Sequence, residues 1–295
     1  MSRKYIRISG ATLPAVELAF IGLGTMGSRM VRHLLAKGHR PTVYDIAAPA
    51  REAMAALGAA TAATVADAVR GKSLALSSLP MPADVESVVA EAAPALRADA
   101  VWADLSTIDP ATARRIAGTG LRFVDAPVSG GPNGAEAGTL AIMAGGDAAA
   151  LEIARPALET FSARVFHVGP VGAGAVVKLA NQLMVGANTI AAMEAVTFAK
   201  QAGINPQTLL DVVSVSTGDS AMLRRSVRDY VQTGDFSPAF ALRLLAKDLR
   251  LYAAEAASLG TTTPSGTPTL ELYEQAMARE LGSLDFAAIL KLIEP

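Results

Sequence analysis

The stretch GAGAVVKLANQ, residues 172–182, sets a single amine, Lys178, into a run of glycine, alanine and valine and follows it with two amides, Asn181 and Gln182. Residues three and four apart share one face of a helix, so the three polar heads stand together near the start of an apolar helix. An amine held there can take or give a proton beside a substrate oxygen. The ordinary lysine pKa of about 10.4 is too high for a neutral base at pH 7, and apolar burial is the physical means of lowering it. Spacing alone leaves a second reading open, a lysine that snorkels to solvent at a helix end beside two incidental amides. Gly172 and Gly174, just upstream, let chain or ligand approach closely.

A proton carrier needs a hydride partner if the chemistry is redox. AFIGLGTMGSRM supplies the signal for one: Gly22, Leu23, Gly24, Thr25, Met26 and Gly27 give G-x-G-x-x-G directly after an apolar strand and at the opening of a helix. The glycines allow a tight turn, backbone contact with pyrophosphate and close helix–strand packing, and the helix N-terminus faces the anion. Asp45 ends the next strand, 18 residues beyond Gly27, where an acid meets the adenosine ribose hydroxyls. Its carboxylate would repel a 2′-phosphate, and the nearest following arginine is Arg51, so NAD is expected over NADP. A cationic nicotinamide would lower the lysine pKa further; a substrate carboxylate would raise it.

A second loop, DAPVSGGPNGAEAGTL, combines Ser129 with Gly130, Gly131 and Gly134, a hydroxyl and backbone N–H groups suited to a carboxylate. A plain surface turn fits the same composition. STGDS, 216–220, reads as a helix-capping turn that borders the substrate pocket at most. Other chemistry is excluded or disfavoured. The chain has no cysteine, which removes disulfides, thiolate nucleophiles and thiolate metal sites. Its three histidines, His33, His39 and His167, are read as structural or surface groups, and no metal site is expected.

These residues need a scaffold. Between Leu18 and about Gly169, apolar strands (LAFIGL, TVYD, LALSSLP, AVWADLS, RFVDAP, LAIMAG, RVFHVG) alternate with helical stretches such as 26–37 and 109–117. That alternation predicts an α/β fold with a doubly wound, mostly parallel sheet covered on both faces. Past GPVGAG no convincing strand remains. One long helix is expected from Ala175 to about Gln201, then a helix capped by Asn205 and opened by Pro206, then segments at 219–232, 239–259, 267–280 and 285–291. The division is therefore 18–172 for the dinucleotide domain and 173–295 for an all-helical domain, joined through the long helix, with 1–17 an extension. Disorder suits that extension better than a targeting peptide, because it lacks a long apolar core. With 26 basic and 27 acidic residues and no charge runs, the partner is a small molecule, not nucleic acid or membrane, and the setting is cytoplasmic.

Four blocks, FIGLGTMGSRM, DAPVSGGPNGAEAGTLAIMAGG, GAGAVVKLANQ and FALRLLAKDL, together resemble the β-hydroxyacid dehydrogenases, a family that includes 3-hydroxyisobutyrate dehydrogenase and tartronate semialdehyde reductase. The resemblance runs from about Leu18 to the C-terminus. It implies that Lys178 is the catalytic acid/base, that Ser129, Gly130 and Gly131 hold the substrate carboxylate, and that Asn181 or Gln182 helps hold the reacting oxygen. It also implies that Leu79, Pro80 and Thr107 border the nicotinamide and that Lys247 contacts the cofactor side of the cleft. Many members carry asparagine four residues after the lysine, where Gln182 stands here; KLANQ is similar to the tartronate semialdehyde reductases, whereas the YD ending of the second strand resembles the NAD-using 3-hydroxyisobutyrate enzymes. The implied activity is NAD-dependent interconversion of a small 3-hydroxy carboxylate and its semialdehyde by a homodimer or homotetramer. The rivals are an imine reductase, a family that usually lacks this lysine, and a dinucleotide sensor without catalysis.

Overall fold

A computed structural model describes residues 17–294. The extension expected over 1–17 lies outside the described residues except for Glu17, the first residue of the first strand. Among the described residues nine strands form one sheet: β1 (Glu17–Ile21), β2 (Arg40–Tyr44), β3 (Ala60–Thr61), β4 (Leu74–Ser77), β5 (Val101–Asp104), β6 (Arg122–Asp125), β7 (Val128–Ser129), β8 (Leu140–Gly145) and β9 (Ser162–Gly169). Their order is β3-β2-β1-β4-β5-β6-β8-β7, with β9 on β8. Strands β1 to β6 run parallel, β8 is antiparallel to β6 and β7, and β9 returns parallel to β8.

Seven helices cover the sheet: α1 (Gly27–Ala36), α2 (Ala48–Ala55), α3 (Val65–Val69), α4 (Pro82–Ala92), α5 (Pro110–Ala117), α6 (Gly131–Ala137) and α7 (Ala148–Leu158). Alternation along β1 explains the two layers. Leu18 and Phe20 pack on one face with Met30 and Leu34 of α1 and Leu151 of α7. Ala19 and Ile21 pack on the other with Val65, Val85 and Ile116 of α3, α4 and α5. A strand buried on both faces reads as an unbroken apolar run, which is why these strands stand out in the sequence.

Past the sheet the chain is helical: α8 (Ala173–Gln201), α9 (Pro206–Val213), α10 (Ala221–Arg225), α11 (Leu242–Ser258), α12 (Gly266–Ala278) and α13 (Leu290–Ile293). Asn205 caps α9 through the Gln207 N–H, and Asp109 caps α5 through the Thr112 N–H, both at 2.8 Å. The helix expected over 219–232 is α10 followed by a π-helical turn, Ser226–Val231, and the segment expected over 285–291 is a 3₁₀ turn, Phe286–Ile289, leading into α13. Among the described residues, the one β-type contact past Gly169 is an isolated bridge between Ala241 and Asp285. Buried Asp285 accepts from the Ala239 and Phe240 N–H groups and pairs with Arg225 at 3.1 Å, which fixes where α11 begins. No helix among the described residues is long and apolar enough to cross a membrane.

Candidate active site

The glycine loop lies at the carboxyl ends of β1 and β4, where the strand order reverses, the place at which open α/β sheets take ligands. Gly22 has φ +94°, and a Cβ there would lie 2.3 Å from the Ser78 carbonyl oxygen; one on Gly27 would lie 2.0 Å from the Gly22 carbonyl oxygen. Those two glycines serve chain packing. Gly24 is different: a Cβ there meets nothing within 4 Å, so its outer face is open to a ligand. No side chain caps the N-terminus of α1, which leaves its N–H groups for an anion. Asp45 reaches the same loop, one carboxylate oxygen accepting from the Leu23 N–H at 2.6 Å and the other from the Ala47 N–H at 2.8 Å. Arg51 turns back to the Asp45 carbonyl at 2.5 Å and lies over the Tyr44 ring, so its charge is engaged beside the acid. The loop fits a dinucleotide with free ribose hydroxyls.

Leu79, Pro80 and Thr107 follow β4 and β5. The Leu79 N–H donates to the Ser106 hydroxyl at 2.8 Å, and Ser106 and Ser77 both donate to one oxygen of Asp104, at 2.7 and 2.6 Å. Trp102 closes this network by donating from its indole to Ser77 at 2.8 Å. Burial pushes the Asp104 carboxyl up to about 6, against these hydrogen bonds. Lys247, on the buried face of α11, crosses to the same loops: its Nζ donates to the carbonyls of Thr107 at 2.8 Å and Pro80 at 3.2 Å. The position that spacing alone would leave as an exposed helix lysine is therefore only 8% exposed and bridges the helical half to the sheet.

Lys178 is buried too, at 8% exposure, which removes the snorkelling alternative. Its Nζ donates to Gln182 Oε1 at 3.0 Å, and Asn181 Nδ2 donates to the same oxygen at 3.1 Å. The shared face expected from the spacing thus converges on one atom. Gln182 Nε2 donates in turn to Asp248 Oδ2 at 2.6 Å. Asp248 is ion-paired with Lys247, Nζ to Oδ1 at 2.9 Å. Burial brings the Lys178 amine down to about 8, with Lys247 adding to the fall and the Asp248 carboxylate opposing it.

The start of α8 is fixed from the sheet. Asp125, at the end of β6, accepts from the Gly172 N–H at 2.7 Å and the Ala175 N–H at 2.8 Å, a cap supplied by a distant residue. A Cβ on Gly174 would lie 2.2 Å from the Met143 carbonyl oxygen and 2.5 Å from that of Asp125. Gly174 therefore admits chain, not ligand. Burial raises the Asp125 carboxyl to about 6 while its two backbone donors hold it down. Ser129 sits on β7, paired with Ala141 of β8, the strand whose Met143 abuts Gly174. Gly130 and Gly131, at φ +133° and +61°, turn the chain from β7 into α6, so the stretch that composition describes as a loop is a short strand and a short helix.

STGDS is mostly a capping turn: Ser220 accepts from the Leu223 N–H at 3.0 Å. It also borders a cavity of about 220 Å³ with Asn188 and Ala191 of α8. Asn188 is ten residues, about 15 Å of helix, past Lys178, so this cavity is separate from the amine. His33 and His167 bond to the backbone carbonyls of Glu136 and Gly146. Sequence reasoning gave no role to Asp104, Asp125 or Asp248. The signals were present, since each acid interrupts an apolar run, WAD, FVD and LLAKDL.

Residues 17–169 match the family model for the NAD binding domain of 6-phosphogluconate dehydrogenase, and residues 172–293 match that for NAD binding in NADP-dependent 3-hydroxyisobutyrate dehydrogenase. The NAD-dependent L-serine dehydrogenase of Pseudomonas aeruginosa is 35% identical over 95% of this chain and 98% of its own. The structure of Mycobacterium tuberculosis 3-hydroxyisobutyrate dehydrogenase with L-serine superposes with a TM-score of 0.89 at 32% identity, covering 95% of this chain and 100% of that one. An imine reductase from Streptomyces aurantiacus, at 22% identity and TM-score 0.64 over 95% of this chain and 100% of that one, shares the fold alone.

Proposed function

The chain belongs to the β-hydroxyacid dehydrogenase family, and from that premise we propose that it is an NAD-dependent oxidoreductase interconverting a small 3-hydroxy carboxylate and its semialdehyde with Lys178 as acid/base. The observation that carries this is the Lys178 amine, buried, hydrogen-bonded and lowered to about 8, on a helix whose start is capped from the sheet that holds the cofactor loop. An imine reductase or a sensor has no need of such an amine.

NAD, when bound, supplies the hydride acceptor for oxidation and, in its reduced form, the donor for reduction. The loop from Gly22 to Gly27, tightened by its two outer glycines and open at Gly24, and the uncapped start of α1 would hold its pyrophosphate, Asp45 would meet its ribose hydroxyls, and Leu79, Pro80 and Thr107 would border its reactive ring. Ser129 with the Gly130 and Gly131 backbone orients the substrate carboxylate. In oxidation neutral Lys178 accepts the hydroxyl proton; in reduction its ammonium returns one to the carbonyl oxygen. Asn181 retains an N–H for the reacting oxygen. Residues 18–172 thus bind the cofactor and 173–295 bring the amine.

The protein acts as a homo-oligomer in this reading. Val177, Met184, Ala191 and Phe198 recur every seven residues on one face of α8, and Met184 and Phe198 are 62% and 74% exposed, a seam suited to a second α8. The test of the activity is a panel of 3-hydroxyisobutyrate, glycerate, serine, threonate and 4-hydroxybutyrate, each with NAD and with NADP. NAD reduction by at least one 3-hydroxy acid is expected, with NADP slower. Turnover of cyclic imines alone, or of nothing on the panel, would overturn the reading.

A further inference from the structure

Both ends of the Gln182 amide are occupied by protein. Its oxygen takes Lys178 and Asn181, and its nitrogen gives to Asp248, so the amide orientation is fixed: reversed, it would set its NH₂ against the ammonium and its oxygen against the carboxylate. Asp248 continues to Lys247, and Lys247 continues to the Pro80 and Thr107 carbonyls. Lys178, Gln182, Lys247 and Asp248 are all buried. One unbroken chain of polar contacts therefore runs from the amine on α8, through α11, to the two sheet loops that border the nicotinamide.

We propose that Gln182 is a positioning residue: it ties the Lys178 amine to Asp248, so that the grip of Lys247 on the two sheet loops sets where the amine stands. This rests on the acid/base role of Lys178. Glutamine length matters to it. Asparagine is shorter by one methylene, about 1.5 Å of bond, and with Lys178 and Asp248 in place it cannot span contacts of 3.0 and 2.6 Å at once. The charged groups facing the amine are Asp248 and Lys247 of α11. The buried carboxylates of the sheet, Asp104 and Asp125, are engaged by Ser77 and Ser106 and by the start of α8.

The test uses the full-length enzyme with Gln182→Asn, Asp248→Asn and the double variant, and two readouts. In steady-state oxidation, Gln182→Asn is expected to lower kcat roughly tenfold with the hydroxy-acid KM within about twofold, and the double variant to fall little below the worse single one, as residues acting through one contact do. In the substrate-free enzyme, acetylation of Lys178 by acetic anhydride at pH 8, followed by peptide mass spectrometry, is expected to run several-fold faster than wild type in each single variant, and in the double to run at the rate of the faster single one. A hydroxy-acid KM raised tenfold at unchanged kcat, additive effects, or an unaltered labelling rate in Gln182→Asn would overturn the proposal. Absence of hydroxy-acid oxidation by the wild type would instead count against the function, and the labelling readout stands apart from it.

Discussion

At the scale of single residues, the proposed function depends on how much the surroundings shift one amine. With Lys178 at about 8, its neutral fraction grows as pH rises through that value. Oxidation requires the neutral form, so kcat/KM for the hydroxy acid at saturating NAD is expected to climb with pH and level off above about 8; reduction requires the ammonium and should decline over the same range. A flat oxidation profile between about pH 6.5 and 9.5 would contradict the assignment. The amine and its amides were legible in the sequence, because their spacing is local and helical geometry converts it into proximity. Asp248 was not: it meets Gln182 across 66 residues, and no local pattern encodes a contact between two helices so far apart in the chain.

At the scale of elements, two glycines show how the same residue type serves opposite ends. Gly174 is where α8 docks onto β8 and β6, and Gly24 is where the chain leaves room for something else. Gly174→Ala is expected to cost about 3 kcal/mol or more, as overpacking against backbone does, read as a fall in the denaturant midpoint. Gly24→Ala should leave the midpoint nearly unchanged yet weaken NAD binding about tenfold or more, because a side chain would occupy the path of the pyrophosphate. Equal destabilisation by both would show that Gly24 also packs against chain. Strands β1, β4, β5 and β6 were legible as apolar runs, and the caps of α5 and α9 as Asp-Pro and Asn-Pro pairs. Strand β7 and helix α6 were hidden, since Ser, Gly, Pro and Asn in that order describe a turn equally well; their pairing with β8 is tertiary. The two-residue β3 carries too little pattern to be seen.

At the scale of the whole molecule, α8 packs on the sheet at its start and on α10, α11, α12 and α13 farther along, and still carries an exposed apolar seam. The seam predicts self-association. Met184→Glu with Phe198→Glu is expected to shift the protein from oligomer to monomer in sedimentation, and an oligomer unmoved by both would place the interface elsewhere. The passage from a mostly parallel sheet to helices was legible from the change of pattern near Gly169, and the proposed division of labour, cofactor on the sheet and proton from the helical half, is built on it. Spacing alone did not disclose that Lys247 and Asp125 stitch the halves together, one from each side, although the resemblance had turned Lys247 toward the cleft. That division is tested most directly by Lys178→Ala, measured for turnover of the best hydroxy acid and, in the same preparation, for NAD binding. Turnover is expected to fall roughly 10²–10⁴-fold with NAD affinity little changed; turnover within about threefold of wild type, or NAD binding lost along with it, would contradict the account.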